Sequence, residues 1–581
     1  MAVTAAGSLA TVLLTFLVGR VVGAADQVAT GGPIGHFVWL VVALGIAFLI
    51  DSLVPVLRQA LCLTLEMKVV RAAAVQVVDP LLAPRRVDHL DDPGVQDAYG
   101  RATTESQQNI EVGPTFASYL LGGRIALIGS VVLVATMFHW WVAAVLVVSG
   151  AFAEWYFIKM ISREGDVWRG RTEGQRQATY LFDLALLHGT KEIRIFGLSR
   201  WLTNRHAGWL HEALSPVWRR RRRGALRNLV MLVPHIAVYI GAMLLAAKEA
   251  YDGDLSLAAT ATVLPAILAV GNGFNPGLIW NVRRALQTYR AMREIPETIA
   301  DRHPQPAGQP ADMSAAPHTE IRFENVTFRY PDSARDVLRG LELTITADEA
   351  LALVGVNGAG KSTLVKLLTG CYLPTGGRIT VDGVDLASLD AESLATWQRR
   401  IATIVQDFLR LPLSARDNIS FGAGIADADN DPGVLAAAER AGVLPVIDAL
   451  PAGWDTTLDK SYVGGVDLSG GEWQRVALAR ALRAVDGGAR VLVLDEPAAA
   501  LDIRSEAQLI DHYLELTSGI ASLIISHRFS VVRGADRICV LADGRILESG
   551  THDELIAADG RYAAMFQLQA SRYVVAEAGD A

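Results

Sequence analysis

Six long apolar segments in the first half of the chain constrain its fold more than any other feature. Inside a bilayer only helices and closed barrels satisfy every backbone hydrogen bond, and a helix needs about 20 apolar residues to cross the hydrocarbon core. The chain is also unusually apolar, with 51% hydrophobic and 20% charged residues. We therefore predict six transmembrane helices, at 3–25, 36–61, 115–138, 140–161, 225–248 and 256–281.

The connections between these segments indicate how the helices cross the membrane. The connections 26–35, His139–Trp140 and 249–255 are short and contain no Lys or Arg, whereas 62–114 and 162–224 are long and rich in arginine. Positively charged loops stay in the cytoplasm. We therefore expect both long connections, both termini and the second half of the chain on the cytoplasmic side of a bacterial plasma membrane.

The long connections are themselves expected to be helical. Their apolar residues recur at intervals of three and four, which predicts that spans 2 to 5 continue well beyond the bilayer. Breaks are expected at Asp91-Asp92-Pro93-Gly94 and at His188-Gly189. The run Arg219–Arg223 before span 5 favours contact with anionic lipid, and binding of an acidic substrate is the alternative.

The chain changes character after the sixth span. Pro296–His318 is rich in Pro, Gly, Ala and Gln, as in a linker. Short apolar runs then alternate with helical segments, which is typical of an α/β domain with a largely parallel sheet. The predicted fold is a polytopic α-helical membrane domain at 1–295, a linker at 296–318 and an α/β domain at 319–581. Its predicted strands are Ile321–Phe328, Leu351–Val354, Ile401–Val405, Val491–Leu494 and Leu523–Ile525.

One loop of the α/β domain matches a phosphate-binding motif. Gly355-Val356-Asn357-Gly358-Ala359-Gly360-Lys361-Ser362 fits G-x-x-x-x-G-K-[ST] between a predicted strand and a predicted helix, Thr363–Thr369. In such a loop, backbone N–H groups and the helix dipole surround phosphate oxygens. Lys361 is expected to reach the β- and γ-phosphates of ATP, and the Ser362 hydroxyl to coordinate Mg²⁺.

Two adjacent acids follow the predicted strand Val491–Leu494. A carboxylate at the end of a buried strand is costly unless it serves a cation, so Asp495 is expected to hold Mg²⁺. Glu496 is placed to orient or deprotonate an attacking water. Beside a phosphate-binding loop, this pair predicts ATP hydrolysis.

Further motifs give a specific family resemblance. Leu468-Ser469-Gly470-Gly471-Glu472 resembles the signature motif of ABC transporter ATPases. Gln406, Ala500-Leu501-Asp502, His527 and Tyr330 resemble the family's Q-, D-, H- and A-loops, although the D-loop often begins with Ser rather than Ala. With six spans ahead of one such domain, the chain resembles ABC half-transporters of the exporter type.

The resemblance implies a role for each motif. Tyr330 would stack on adenine, His527 would hold the γ-phosphate, and Gln406 would contact Mg²⁺ and the membrane half. Ser469 and Gly471 would bind the phosphate on a second subunit's P-loop, so one chain cannot complete a site. The residues expected to bind ATP are Tyr330, Gly355, Asn357, Gly358, Ala359, Gly360, Lys361, Ser362, Thr363, Gln406, Ser469, Gly470, Gly471 and Asp502. The residues expected to hold Mg²⁺ are Ser362, Gln406 and Asp495. The residues expected to act in hydrolysis are Lys361, Gln406, Glu496 and His527.

The resemblance leaves the partner and the cargo open. A second copy of the chain would give two complete ATP sites, and a homologous half-transporter is the alternative partner. The expected activity is ATP-driven export of an amphipathic small molecule, such as a drug or natural product. A lipid or lipid-linked flippase and a siderophore or vitamin importer are alternatives. The net charge of −8 argues against a nucleic-acid partner. The six spans argue against a soluble ABC ATPase. A receptor-like regulator with the same membrane segments is the remaining alternative class of protein.

Several features of the membrane half carry two interpretations each. Arg20 and Arg124 either snorkel to an interface or have a functional role, and Glu154 lies either in a cavity or at an interface. Gly271–Gly277 must loosen span 6, as a kink or as a gating segment. A family elbow helix has no room before the first span, so this subunit lacks it or translation starts further upstream.

The resemblance also places two coupling helices, the cytoplasmic contacts between membrane spans and ATPase domains. Position along the chain, rather than a motif, points to Asp88–Gln96 and Gly189–Gly197.

Overall fold

A computed structural model describes residues 1–104, 110–169, 180–185, 190–304, 308–331, 333–424, 432–496, 519–526 and 529–569. The chain divides into two compact units. The helical unit comprises Met1–Val78 and Asp97–Ile295, and the α/β unit comprises Asp79–Gln96 and Pro296–Ala581. The 79–96 segment, which lies between the second and third predicted spans, thus packs with the α/β unit.

Long helices form the first part of the chain. They are α1 (Ala2–Ala29), α2 (Ile34–Leu82), α3 (Pro93–Thr104), α4 (Gly113–Met137), α5 (Trp140–Arg169), α6 (Thr190–Ile195), α7 (Ser199–Asp252), α8 (Leu257–Gly273) and α9 (Pro276–Arg302). Within the described residues, six helical stretches are long and apolar enough to cross a membrane: Ala2–Ala29, Ile34–Leu82, Gly113–Met137, Trp140–Ser162, Leu229–Asp252 and Leu257–Arg302. The prediction of six spans is therefore confirmed.

Three of the expected helical extensions are present. α2, α5 and α7 run on well beyond spans 2, 4 and 5. The predicted break at Asp91–Gly94 is also present, because a 3-10 turn ends at Asp91 and α3 begins at Pro93. Ahead of span 3, α3 is helical as far as Thr104, but 105–109 lie outside the described residues, so a continuous extension stays a prediction. The predicted break at His188-Gly189 also lies outside the described residues.

The core of the helical unit lies where α8 packs against α1, α4 and α7. Small residues allow these backbones to approach closely, as is usual between helices in lipid. A Cβ on Gly19 of α1 would lie 1.8 Å from the Thr262 Oγ1 of α8. Val263, Ala266 and Ile267, on the same helix as Thr262, are fully buried.

The sixth span is interrupted as the sequence predicts. α8 ends at Gly273 and α9 begins at Pro276, so Phe274 and Asn275 are not helical. α9 continues through Pro296 to Arg302, so the first residues of the predicted linker 296–318 are helical. The apolar side chains of Ile295 and Ile299 are buried on either side of that proline, and their burial outweighs the one hydrogen bond that a proline removes from a helix.

Within its described residues, the α/β unit contains two sheets. Its strands are β1 (Glu320–Phe328), β2 (Leu338–Thr346), β3 (Ala350–Val354), β4 (Gly376–Val381), β5 (Val384–Asp385), β6 (Ile401–Ile404), β7 (Val491–Asp495), β8 (Ala521–Ile525), β9 (Arg537–Ala542) and β10 (Arg545–Gly550). One sheet has the order β2-β1-β4-β5 with antiparallel neighbours. The other has the order β10-β9-β3-β8-β7-β6, in which all neighbours except β10 and β9 are parallel.

Short helices cover the sheets of this unit. They are α10 (Lys361–Leu368), α11 (Ala391–Arg399), α12 (Ala415–Ser420), α13 (Pro432–Arg440), α14 (Leu444–Asp448), α15 (Gly470–Asp486), α16 (Phe529–Val532) and α17 (His552–Ala557). α12, α13 and α15 pack together at β6, the edge strand of the six-stranded sheet. The prediction of an α/β domain with a largely parallel sheet is confirmed.

The close contact between α1 and α8 gives a stability prediction. Gly19→Ala is expected to lower the stability of the full chain in detergent by about 1–3 kcal/mol, because the added methyl group collides with Thr262. Gly45→Ala is the matched control, since a Cβ there meets no atom within 4 Å. Thermal unfolding of the two variants checks the prediction, and equal midpoints would contradict it.

Candidate nucleotide site

Four neighbouring parallel strands bring the predicted site residues to one edge of a sheet. β3 leads into Gly355, β8 into Ser526 and β6 towards Gln406, while β7 ends at Asp495. These strands lie side by side in the order β3-β8-β7-β6. The carboxyl edge of a parallel sheet is where α/β folds bind ligands, so the topology alone assembles a candidate site.

The phosphate-binding loop has the backbone that its glycines predict. Gly358 and Gly360 have φ values of +81° and +107°, which side chains other than glycine rarely adopt. A Cβ on Gly355 would lie 2.4 Å from the Leu541 carbonyl oxygen of β9. The loop ends at α10, whose first turn has no side-chain cap. Its N–H groups therefore remain available to an anion.

Lys361 lies within this loop rather than on the surface. Its side chain is buried, and its Nζ donates to the carbonyl oxygens of Gly355 and Val356 at 2.8 and 3.3 Å. Burial lowers the pKa of Lys361, and the negative charges of Glu496 and Asp495 oppose that shift. A buried cation held over a glycine loop provides an opposite charge for phosphate.

The hydroxyl of Ser362 and the carboxylate of Asp495 meet across 133 residues of sequence. Ser362 Oγ donates to Asp495 Oδ2 at 3.1 Å. Burial raises the pKa of Asp495, and the nearby Glu496 charge raises it further. Hard oxygen ligands in a region of negative charge fit Mg²⁺, which usually takes one or two protein ligands together with phosphate oxygens.

Glu496 follows Asp495 in an uncommon backbone conformation. Its φ is +48°, and its N–H donates to the Ile525 carbonyl oxygen of β8 at 2.9 Å. Non-glycine residues with positive φ are often found at functional sites. The neighbouring strand thus fixes the backbone of Glu496, the predicted catalytic residue, next to Asp495.

Tyr330 is half-buried at the edge of an aromatic cluster. Its ring stands edge-on to Phe328 and Tyr372, with centroids 4.9 and 5.7 Å away. Its hydroxyl lies 3.2 Å from the Thr363 Oγ1 of α10, and Lys366 Nζ donates to it at 3.3 Å. The residue predicted to stack on adenine is therefore held beside the helix that follows the phosphate loop.

The signature residues lie at the start of α15. Ser469 is its N-cap: Ser469 N–H donates to Glu472 Oε2 at 2.7 Å, and Glu472 N–H donates to Ser469 Oγ at 3.4 Å. Ser469 and Gly470 are exposed. The N–H groups of Gly470 and Gly471 belong to a first turn, where a helix lacks internal acceptors. The arrangement presents an exposed helix N-terminus to an anion.

The structure locates most, but not all, of the predicted site residues. Gln406 is exposed in a turn two residues beyond β6. Asp502 of the predicted D-loop and His527 of the predicted H-loop lie outside the described residues. The roles of these two residues and of the other site residues stay predictions, because the contacts above give only positions.

The 79–96 segment packs directly on the α/β unit, around the predicted coupling helix Asp88–Gln96. Val87 N–H donates to the Cys371 carbonyl oxygen at 2.9 Å, and Tyr372 Oη donates to Asp91 Oδ2 at 2.5 Å. Burial and the Asp91 carboxylate both raise the pKa of Tyr372. Because Tyr372 also contacts Tyr330, one aromatic ring separates this segment from the predicted adenine platform.

Asp92 ties the same segment to the end of α9. Both of its carboxylate oxygens accept from Arg302 Nε at 3.0 Å, and Asp92 Oδ2 lies 3.1 Å from His303 Nε2. The Arg302 hydrogen bond is the largest cause that lowers the pKa of Asp92 to about 2. Because the pKa of Asp92 is lower in the folded chain than its ordinary value of 3.8, the ionised carboxylate stabilises the fold. This contribution is fully present above pH 3.8 and is lost as the pH falls through about 2.

Sequence reasoning missed polar residues in the second span. Thr11 Oγ1 donates to Asp51 Oδ1 at 2.6 Å. The guanidinium of Arg58 lies 4.0 Å from the centroid of the Tyr119 ring. Asp51 and Arg58 both lie inside the predicted span 36–61, so their charged side chains could have been identified from the sequence of that span.

A P-loop, an acidic strand end and a signature helix on one sheet, together with six spans, define an ABC-type ATPase unit joined to an exporter-type membrane unit. The profile of the family described as ABC transporter matches residues 338–499. The ATP-dependent lipid A-core flippase of Dechloromonas aromatica is 32% identical over 411 residues, which are 70% of this chain and 67% of that protein. The chain therefore belongs to the ABC transporter family.

Other relatives carry the same description. The ATP-dependent lipid A-core flippases of Ralstonia nicotianae and Chromohalobacter salexigens are each 41% identical, over 46% and 43% of this chain. These matches span only 43% and 41% of the two relatives. A solved bacterial Atm1-family ABC exporter with ATP bound superposes with a TM-score of 0.75 and 25% identity, covering 98% of both chains. The exporter fold thus extends over nearly the whole chain.

The environment of Tyr330 gives a binding prediction. Tyr330→Ala is expected to weaken binding of a fluorescent ATP analogue to the full chain by about 5–150-fold, because a stacked base contributes about 1–3 kcal/mol. Tyr330→Phe keeps the ring and loses only the contacts of the hydroxyl with Thr363 and Lys366, so it is expected to bind nearly as well as the parent. A Phe variant as weak as the Ala variant would contradict stacking.

Proposed function

We propose that this chain is one half of a dimeric ATP-driven transporter that flips a lipid with a large polar head group across a bacterial plasma membrane. The contact between Ser362 and Asp495, beside the buried Lys361, carries the ATPase part of the proposal. Six apolar spans in the same chain supply the membrane path. The arginine-rich connections support a cytoplasmic location for the ATPase unit.

The residues at the sheet edge suit the chemistry of phosphoryl transfer, which depends mainly on positioning and charge. Lys361 would neutralise the β- and γ-phosphates, and Ser362, Asp495 and Gln406 would hold Mg²⁺, which supplies further positive charge. Glu496 would orient the attacking water and accept its proton. Tyr330 would fix the base, and Asp502 and His527 would complete the site as the family resemblance implies.

The proposal requires two chains. The signature helix α15 packs at β6, and two strands separate β6 from β3, which carries the P-loop. At about 4.8 Å per strand spacing, β6 and β3 are about 14 Å apart. The exposed first turn of α15 is therefore suited to a phosphate bound by another subunit. Each copy offers both halves of a site, so we favour a homodimer.

The relatives favour a lipid cargo over a drug. The three relatives named above, which are 32% to 41% identical to this chain, are described as ATP-dependent lipid A-core flippases. The sequence itself favours export of a drug or natural product and keeps a lipid flippase as the alternative. We adopt that alternative, with lipid A-core as an example of the cargo class.

The test is ATP turnover of the full chain in nanodiscs. Lipopolysaccharide of the lipid A-core type is expected to stimulate turnover several-fold, whereas phosphatidylglycerol and amphipathic drugs are not. Glu496→Gln is expected to bind Mg²⁺-ATP normally and to lose almost all turnover with every lipid, because the attacking water is no longer activated.

The outcomes separate the two parts of the proposal. Stimulation by drugs alone would overturn the lipid cargo and favour drug export. Unchanged turnover in Glu496→Gln would overturn the assignment of the ATP site.

A further inference from the structure

An ion pair lies within the predicted membrane spans, at the interruption of the sixth one. Arg124 Nη2 of α4 donates to both carboxylate oxygens of Glu154 of α5, at 2.7 and 2.6 Å. The Glu154 side chain is 10% exposed and that of Arg124 is 31% exposed. Charged residues inside a bilayer are costly and are usually retained for a function. The pair therefore calls for a role beyond joining α4 to α5.

The second terminal nitrogen of Arg124 points to that role. Arg124 Nη1 donates to the Gly273 carbonyl oxygen at 3.4 Å. Gly273 is the last residue of α8, so this carbonyl lies at a helix end, where it lacks an intrahelical N–H donor. A cation at a helix C-terminus also interacts favourably with the helix dipole. Arg124 thus caps the first half of the broken span.

The ring of Phe274, the next residue, is held by the same two helices. The guanidinium of Arg124 lies 5.6 Å from the Phe274 ring centroid, within the range of cation–π attraction. A Cβ on Gly150 of α5 would lie 2.3 Å from Phe274 Cδ2. Only glycine leaves room for the ring there. The non-helical residue is therefore positioned by Arg124 of α4 and Gly150 of α5.

We propose that Arg124 and Glu154 form a positioning pair that fixes the break between α8 and α9. Glu154 neutralises and orients the guanidinium, and Arg124 uses its remaining nitrogen and its face to hold Gly273 and Phe274. The angle between the two halves of the sixth span can then change only when this set of contacts opens. The role in transport rests on the proposed function, whereas the control of the break does not.

Charge reversal distinguishes this role from a simple link between helices. In the double variant Arg124→Glu/Glu154→Arg the two charges still attract, so a structural ion pair would be rescued. A glutamate at 124, however, cannot donate to the Gly273 carbonyl and repels the face of Phe274. The double reversal is therefore expected to leave the contacts of Gly273 and Phe274 broken, even though the two charges still attract.

Amide hydrogen exchange of the full chain in nanodiscs measures the break directly. Glu154→Gln, Arg124→Gln and the double reversal are each expected to speed exchange at 271–279 at least about fivefold, since local opening becomes easier. Arg124→Lys keeps the charge but loses the planar fork whose two nitrogens and face reach Glu154, Gly273 and Phe274 together, so an intermediate effect is expected. Asp51→Asn is the matched control, because it neutralises a carboxylate in another span, whose described contact is with Thr11 of α1.

A double reversal that restores parental exchange at 271–279 would overturn the proposal, as would an unchanged rate in Glu154→Gln. If the neutral variants do not fold, Arg124→Lys decides, and parental exchange in that variant would also overturn it. Lipid-stimulated ATP turnover is expected to fall in the charge variants while basal turnover stays. Absence of lipid stimulation in the parent would count against the proposed function alone, since the exchange measurement needs no cargo.

Discussion

The parallel pairing of β3, β8, β7 and β6 is the constraint on which the ATPase unit depends. Parallel strands end at the same edge, so the residues that follow them are brought together however far apart they lie in sequence. Ser362 and Asp495 meet in this way, 133 residues apart, at 3.1 Å. The strand order also separates α15, at the edge strand, from the P-loop on the third strand inward. The strand order therefore brings the P-loop and Asp495 together and keeps the signature helix of the same chain away from them.

The same unit carries a direct connection to the 79–96 segment. Tyr372 contacts Tyr330 on one side and donates a hydrogen bond to Asp91 on the other. Arg302, at the end of α9, pairs with Asp92 one residue further on. The segment between the second and third spans and the end of the sixth span thus meet on the surface of the α/β unit. The segment predicted from its position to contain a coupling helix, Asp88–Gln96, is therefore held to the α/β unit by Asp91 and Asp92.

Local signals allowed much of this to be predicted from sequence. The P-loop is contiguous, so its glycines and Lys361 define its conformation and its chemistry together. The six spans are visible because each needs a long apolar run. Contacts between distant residues left no such signal, as with Tyr372 and Asp91. The pairing of Arg124 with Glu154 was equally invisible, since each charge alone fits an interfacial position. The helix through Pro296 shows packing of Ile295 and Ile299 overriding a residue that normally marks a boundary.

The central claim, that two chains share each ATP site, can be tested by cross-linking. The native thiols are first removed by replacing Cys62, Cys371 and Cys539. Asn357→Cys then places a thiol on the P-loop, and Asp467→Cys places one two residues before the N-cap of the signature helix. Both native residues are exposed. A short bifunctional thiol reagent is then applied with and without Mg²⁺-ATP. The account predicts a covalent dimer that forms with Mg²⁺-ATP and requires both cysteines. A link confined to single chains, with no dimer, would contradict it.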